Sequence, residues 1–341
     1  GGRAAGRGAV RPRVRRGYRE DGRGVPTGSS GPLGGEEGGV AASQRPRPSS
    51  RIPAEPGGHH GQGPPRAGTT TGGEALNESK SAAMTYGGYL AVDELLTLQR
   101  PRSDGPEHDE MLFIVIHQVY ELWFKQLLHE MDYAVQLLGR DQGYRVLHTL
   151  KRILTILKVQ VRQVDILETM TPTEFLSFRE RLDAASGFQS DQFRQIEFLL
   201  GQRHPNIPGR FPEGSRARAE LERRISEPSL WDAFLGHLAR SGHPIPEDAL
   251  ARDLSTSNES HPGVQAALVG VYREDPRGAQ LCERMVDLDE GIQEWRYRHV
   301  KMVQRTIGSK MGTGGSEGSK YLMTTLMRPI FPDLWEIRGQ L

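Results

Sequence analysis

Three long segments of this 341-residue chain place apolar side chains at every third or fourth position, the spacing of one face of an α-helix. The spacing predicts helices over residues 109–138, 143–169 and 278–307. No stretch alternates apolar and polar residues in the manner of a half-buried β-strand. Segments of this length pack side by side, so the sequence predicts an all-α helical bundle.

Shorter helices with recognisable ends are predicted around the three long ones. Residues 171–174 form a capping box with proline at the first helical position, and they begin a helix that contains Arg179. Gly308 follows the last long segment, where a helix C-cap glycine is expected. The remaining predicted helices lie at residues 90–99, 191–200, 215–225, 230–239, 264–272 and 321–327.

The first 80 residues differ in composition from the rest of the chain. They contain 20 of the 41 glycines and 9 of the 22 prolines, with few large apolar residues. Such a segment cannot bury enough apolar surface to offset its chain entropy. The sequence therefore predicts a disordered Gly/Pro/Arg-rich extension over residues 1–80 and a helical domain over residues 81–341.

Charge and cysteine content restrict the possible partners and compartment. Residues 1–80 carry 13 Lys/Arg against 7 Asp/Glu, which leaves the remaining residues with a net charge of −5 and argues against nucleic-acid binding. The single cysteine, Cys282, cannot form a disulfide within the chain and fits a reducing cytoplasm. No apolar run reaches membrane-spanning length, so we expect no membrane partner.

Two of the predicted long helices each place a histidine on an apolar face. His117 shares its face with Phe113 and Tyr120, and His299 lies shortly before a glycine-rich segment at residues 312–318. A lone histidine on such a face is most often an ordinary core residue. Two of them suit haem, a flat apolar group that fits between bundle helices and takes one imidazole as axial ligand. No Cys-x-x-Cys-His motif occurs, so a haem here would be bound non-covalently.

Five separated blocks of the sequence carry a family resemblance. The blocks are YGGYL at 86–90, DEMLFIVIHQVYELWFKQLLHE at 109–130, FRERLDAASGFQSDQFRQIEFLLG at 178–201, WRYRHVKMVQRTIGSKMGTGGSEG at 295–318 and FPDLWEIR at 331–338. Together and in this order they resemble the tryptophan 2,3-dioxygenase family. The resemblance implies a helical bundle that encloses one b-type haem per subunit, bound non-covalently and ferrous when active. It also implies insertion of O₂ across the indole C2–C3 bond of L-tryptophan, giving N-formyl-L-kynurenine in the first step of the kynurenine pathway.

The same resemblance implies roles for three residues around the haem and the indole. His299 matches the histidine that ligates the haem iron. His117 matches the catalytic distal histidine that accepts a hydrogen bond from the indole N–H, and Phe113 matches the phenylalanine that packs on the indole.

Three further residues match those that bind the amino-acid part of the substrate. Arg179 matches the arginine that pairs with the carboxylate, although the segment alone favours an ordinary surface arginine. Thr313 matches the threonine that contacts the ammonium group, and Ser186 matches a serine beside haem and substrate. Phe175 stands where some relatives carry a tyrosine, so that hydroxyl contact is expected to be absent.

Assembly is also implied by the resemblance. Tyr86 and Tyr89 match tyrosines that reach into the pocket of a neighbouring subunit, which implies a cytoplasmic homotetramer.

Three alternative functions remain open at this point. A haem dioxygenase of the same superfamily acting on a related indole would differ only in substrate. A haem-based O₂ sensor would have no use for an arginine such as Arg179 beside the pocket. A helical scaffold without cofactor would show no haem absorption.

Overall fold

The computed structural model describes residues 84–105, 107–183, 185–308, 310 and 319–341. Every regular element within these residues is a helix, which confirms the all-α prediction. The α-helices are α1 (Tyr86–Leu90), α2 (Val92–Leu95), α3 (His108–Gly139), α4 (Gly143–Leu167), α5 (Pro172–Arg179), α6 (Asp191–Leu199), α7 (Arg216–Ile225), α8 (Leu230–Arg240), α9 (Glu247–Leu250), α10 (Pro262–Glu274), α11 (Pro276–Ile307), α12 (Ser319–Thr324) and α13 (Pro332–Glu336). The predicted disordered segment, residues 1–80, lies outside the described residues.

The three long helices form the centre of the bundle. Helix α4 packs against both α3 and α11, and each of the three begins and ends within two residues of its predicted bounds. Leu138, Leu150 and Leu288, one from each helix, are fully buried. Burial of a leucine side chain contributes about 1.5–3 kcal/mol, so the apolar faces read from the sequence supply much of the core energy.

Outer helices enclose this centre. Helices α6 and α8 pack on α3, α10 packs on α11, and α13 packs on α10. Aromatic residues of the C-terminal segment lie over the core. Phe331 is fully buried and stacks on Trp231 with ring centroids 5.3 Å apart.

A buried carboxylate on α11 fixes the C-terminal segment. One oxygen of Asp289, Oδ2, accepts hydrogen bonds from the backbone N–H groups of Ile330 and Phe331 at 2.8 and 2.9 Å. The same oxygen accepts from Nε1 of Trp335 at 2.9 Å. Asp289 is fully buried, and three hydrogen bonds to one of its oxygens hold residues 330–335 against α11.

The start of the described chain corrects one prediction. A single helix was expected over residues 90–99, but two short helices occur, α1 and α2, separated by Ala91 at φ 49°. The Tyr-Gly-Gly-Tyr segment lies inside α1 because Thr85 caps it, its Oγ1 accepting from the N–H of Gly88 at 3.1 Å. This cap offsets the low helix propensity of the two glycines.

Other helix ends near the site follow their local sequence. The capping box of α5 is present in both directions, with the Thr171 N–H donating to Glu174 Oε2 at 2.6 Å. Gly308 ends α11 at φ 61°, as predicted for a C-cap glycine. The helix predicted at residues 321–327 is α12, which begins and ends earlier.

No α-helix among the described residues is both long and apolar enough to cross a membrane.

Candidate functional site

A cavity of about 310 Å³ lies between side chains of α3, α5, α6 and α11. The C-terminal segment held by Asp289 closes one side of it, through residues from Leu322 to Ile330. Five of the residues that the resemblance connects with the site line this cavity together: His117, Phe175, Arg179, Ser186 and His299. Side chains up to 182 positions apart in the sequence therefore lie around one cavity.

His299 projects from α11 into the cavity as a neutral imidazole. Trp295, one turn earlier, stacks on it with ring centroids 5.2 Å apart and planes within 4° of parallel. Burial, with smaller contributions from the nearby His117 and Arg194, lowers the pKa of His299 to about 4. At neutral pH the ring therefore keeps a nitrogen lone pair, which is what a metal ligand needs.

His117 faces the same cavity from α3, and its tautomer is fixed. Its Nδ1 lies 2.7 Å from the carbonyl oxygen of Phe113, one turn earlier. A carbonyl oxygen only accepts, so Nδ1 carries the hydrogen and Nε2 remains an acceptor. The ring is exposed to the cavity but lies well below the protein surface. Because burial removes the ring from bulk water, the pKa of His117 is lowered and the ring stays neutral.

An aromatic wall stands beside His117. The ring of Phe113 lies 4.1 Å from that of His117, 5.7 Å from that of Phe175 and 5.5 Å from that of Phe178, between centroids. Phe178 is fully buried, and Phe175 lines the cavity. Phe113, which the resemblance places against the indole, is not among the described residues that line the cavity. Phe175 offers the cavity apolar surface and no hydroxyl, which suits a flat aromatic ligand beside His117.

Two of the three polar residues predicted to bind an amino acid line the cavity, and the third lies outside the described residues. Arg179 is the last residue of α5, one turn after Phe175, and is half-buried at the cavity. Ser186 lines the cavity and caps a short 3₁₀ helix, Gly187–Gln189, its Oγ accepting from the Phe188 N–H at 3.3 Å. Thr313 lies outside the described residues.

Five charged residues that the sequence analysis did not select also line the cavity, and three of them, Arg194, Glu197 and Arg296, lie together. Glu197 on α6 accepts from Arg194 Nη1 at 2.6 Å, and its other oxygen lies 3.5 Å from Arg296 Nη2. Arg296 Nη2 also donates to Gln202. The side chains of Arg194, Glu197 and Arg296 are only 11, 12 and 7% exposed. We call these three residues the arginine cluster.

Two donors of the arginine cluster lack acceptors. Nε of Arg194 and Nη1 of Arg296 are buried and have no hydrogen-bond partner among the described residues. The cluster holds two positive charges and one negative charge. Unpaired buried donors and a net positive charge together indicate a place for an anionic group.

The donor set limits how a metal could be held here. No group of three or more His, Cys, Asp or Glu residues in the described part of the chain could hold a metal ion. The arrangement suits a flat apolar cofactor with an anionic edge and a central metal.

The two tyrosines of α1 lie elsewhere. Tyr86 and Tyr89 are 79 and 73% exposed and do not belong to the described wall of the cavity. Their predicted place in a neighbouring subunit stays a prediction.

Comparison with known proteins gives one family. A family model described as tryptophan 2,3-dioxygenase matches residues 71–211 and 227–341. A protein named tryptophan 2,3-dioxygenase from Herpetosiphon aurantiacus is 57% identical over 261 residues, which cover 76% of this chain and 100% of the relative. Proteins of the same name from Anaeromyxobacter sp. (strain K) and Caulobacter vibrioides are 56 and 45% identical, over 76% of this chain and 97 and 98% of their own lengths.

Proposed function

The chain belongs to the tryptophan 2,3-dioxygenase family, and from this premise we propose that it inserts both atoms of O₂ into L-tryptophan. The reaction cleaves the indole C2–C3 bond and yields N-formyl-L-kynurenine, the first product of the kynurenine pathway. The observation that carries the proposal is the meeting of two neutral histidines, His117 and His299, in one cavity that Arg179 also lines.

The residues of the cavity fit a haem b. His299 supplies a neutral imidazole as the single protein ligand, and its ring is held in place by the parallel ring of Trp295. The unpaired donors of the arginine cluster fit the carboxylates of a haem. Haem, when bound, supplies the iron that activates O₂, and we propose one non-covalent haem b per subunit, ferrous when active.

His117 is proposed to orient the indole. Its Nε2, left as an acceptor by the bond from Nδ1 to the Phe113 carbonyl, can receive the indole N–H without protein rearrangement. Phe175, which lines the cavity and lies 5.7 Å from Phe113 between ring centroids, is proposed to provide the apolar surface for the indole. The ring of the substrate is thus fixed by one hydrogen bond and by aromatic contact, and water is kept away from it.

Arg179 is proposed to bind the substrate carboxylate. A guanidinium pairs with a carboxylate through two parallel hydrogen bonds, a geometry that a lysine cannot copy. Ser186 lies at the same cavity, and Thr313 is proposed as the partner of the ammonium group. Recognition of both charged groups would distinguish an amino-acid dioxygenase from a haem-based O₂ sensor.

The exposed arm at the start of the described chain supports the proposed assembly. Met84, Tyr86, Tyr89 and Leu96 are each 70% or more exposed, although they are large and apolar or aromatic. Such a cluster is expected to be covered by another protein surface. We propose a cytoplasmic homotetramer in which this arm completes a neighbouring pocket.

Light scattering combined with activity assays tests the assembly. The double variant Tyr86→Ser/Tyr89→Ser is expected to keep its haem and to lose activity or assembly. A fully active monomer of the wild-type chain would contradict the shared pocket.

An absorption spectrum and a product assay test the function as a whole. The purified full-length chain, supplied with haem and reduced, is expected to show a Soret band that shifts when L-tryptophan is added, and to release N-formyl-L-kynurenine in air. A chain that takes up no haem would be a scaffold. A chain that takes up haem but forms no product from L-tryptophan would be a binder, or a dioxygenase of another indole.

A further inference from the structure

We infer that Asn258 is a positioning residue for the proposed reaction, because its carboxamide fixes one wall of the cavity before a ligand arrives. This wall is formed by residues 322–330, which close one side of the cavity, and we call it the C-terminal wall. The inference rests on the proposed function. It concerns how the wall is held in place, and not the groups that bind haem or tryptophan.

The C-terminal wall is fixed at Ile330, through both polar groups of its backbone. The Ile330 N–H donates to Oδ2 of Asp289 at 2.8 Å, and the Ile330 carbonyl oxygen accepts from Nδ2 of Asn258 at 3.0 Å. Ile330 is buried, whereas Met323 and Met327, earlier in the same wall, are exposed. Asp289 and Asn258 therefore hold the buried end of a segment whose earlier part faces solvent.

Asn258 joins the C-terminal wall to a second part of the cavity, the end of α6. Its Nδ2 also donates to the carbonyl oxygen of Leu200 at 3.0 Å, and its backbone N–H donates to the carbonyl oxygen of Gly201 at 2.8 Å. Gly201 lines the cavity at φ 85°, and a Cβ atom at this position would overlap the carboxamide of Asn258. Glycine is needed for so close an approach, so the two parts of the cavity are held at a fixed distance.

The chemistry of a carboxamide is required at position 258. Nδ2 donates to two carbonyl oxygens, those of Leu200 and Ile330, while Oδ1 accepts from Nη2 of Arg252 at 3.1 Å. Arg252 is itself held by Asp232 on α8, with Nε 2.6 Å from Oδ1. An ionised aspartate at position 258 would keep the size of the side chain and the bond from Arg252. It could donate to neither carbonyl oxygen, because a carboxylate only accepts.

A wall that is already in place strengthens binding of the substrate. A segment that must be ordered when a ligand binds reduces the affinity, because the ordering opposes binding. The apparent Kd rises as the fraction of molecules with the wall in place falls. Loss of a hydrogen bond between neutral groups typically changes such an equilibrium by roughly three- to tenfold. Because Asn258 acts through Ile330, its loss is expected to raise KM and to leave kcat unchanged.

Hydrogen exchange of the full-length chain, loaded with haem, tests the placing of the wall without measuring activity. The amides of Ile330 and Phe331 both donate to Asp289 and report on the fixed point. In the wild type they are expected to be equally protected with and without L-tryptophan. In Asn258→Asp they are expected to exchange roughly three- to tenfold faster, while the amides of α3 and α4 keep their wild-type rates.

The product assay gives the second measurement. Asn258→Asp is expected to raise the KM for L-tryptophan roughly three- to tenfold and to keep the wild-type kcat. Asn206→Asp is the matched control, because it makes the same chemical change at an exposed residue outside the described wall of the cavity. Its exchange rates and its KM are expected to equal those of the wild type.

Three results would overturn the inference. One is protection of the Ile330 amide that appears only with L-tryptophan; it needs no variant and remains decisive if Asn258→Asp does not fold. Another is faster exchange throughout the helices of a folded Asn258→Asp chain, which would give Asn258 a general structural role. The third is an unchanged KM despite faster exchange at Ile330. A wild type that forms no product would instead refute the proposed function, and the exchange rates of the variant would still test the placing of the wall.

Discussion

Replacement of His117 by alanine is expected to weaken tryptophan turnover while leaving haem in place. The structure sets the magnitude. His117 Nε2 is already an acceptor, because Nδ1 donates to the Phe113 carbonyl at 2.7 Å, so the hydrogen bond to the indole requires no rearrangement. Without it, an indole N–H between Phe113 and Phe175 would be left without a partner, at a cost of about 1–3 kcal/mol. At tenfold for each 1.4 kcal/mol, kcat/KM should fall on the order of 10- to 100-fold.

The assay compares two ligands in two proteins. Formation of N-formyl-L-kynurenine gives kcat/KM for L-tryptophan, and the Soret shift gives the Kd of an analogue in which sulfur replaces the indole N–H. His117→Ala should bind this analogue as the wild type does, because no N–H is left unpaired. Equal losses with both ligands, or loss of haem from the variant, would refute the assigned role of His117.

Three other changes test the rest of the site. His299→Ala should remain helical by circular dichroism but lose most of its Soret absorbance, since His299 is the one protein ligand proposed for the iron; a full haem content would contradict this. Arg179→Lys should raise the KM for L-tryptophan by roughly 30-fold or more, from the ~2–5 kcal/mol that such pairs lose. It should change little for tryptamine, which has no carboxylate, and equal losses would reopen the substrate assignment. In the haem-free protein, the pKa of His299 falls from 6.5 to about 4 on folding. The contribution of the neutral His299 ring to the free energy of unfolding is thus fully present above pH 6.5. It is lost as the pH falls towards 4, because the unfolded chain binds the proton before the folded chain does. Denaturant unfolding of the wild type and of His299→Ala across this pH range measures the contribution. If the unfolding free energies of the two proteins changed in parallel with pH, the predicted contribution would be refuted.

The long helices could be predicted from the sequence because their signals are local. Apolar spacing fixed the bounds of α3, α4 and α11 to within two residues, and the capping box at Thr171 and the glycine at position 308 behaved as their residue types require. The break at Ala91 could not be predicted. Alanine favours a helix, and its positive φ arises from how α1 and α2 meet rather than from any residue preference.

The site was predictable only in part, for a related reason. His117 and His299 could be selected because each lies on an apolar face of a strong helix. The arginine cluster could not be selected, because an arginine three residues before a glutamate on a helix usually marks a solvated surface pair. Arg194 and Glu197 have this spacing, yet α11 covers them and brings in Arg296 from about 100 residues away. Only tertiary packing shows that these charges are buried.

The two histidines of the cavity lie on helices that are far apart along the chain. Helices α3 and α4 are joined by three residues and form a local hairpin, whereas α11 begins more than 100 residues after α4 ends. Contacts between neighbours in sequence form fast, and those that close long loops form late. During synthesis, His117 therefore leaves the ribosome well before His299, and a nascent chain already folded through α4 still lacks its proposed iron ligand. Uptake of haem would thus act as a check on complete folding, since only a finished chain can retain it.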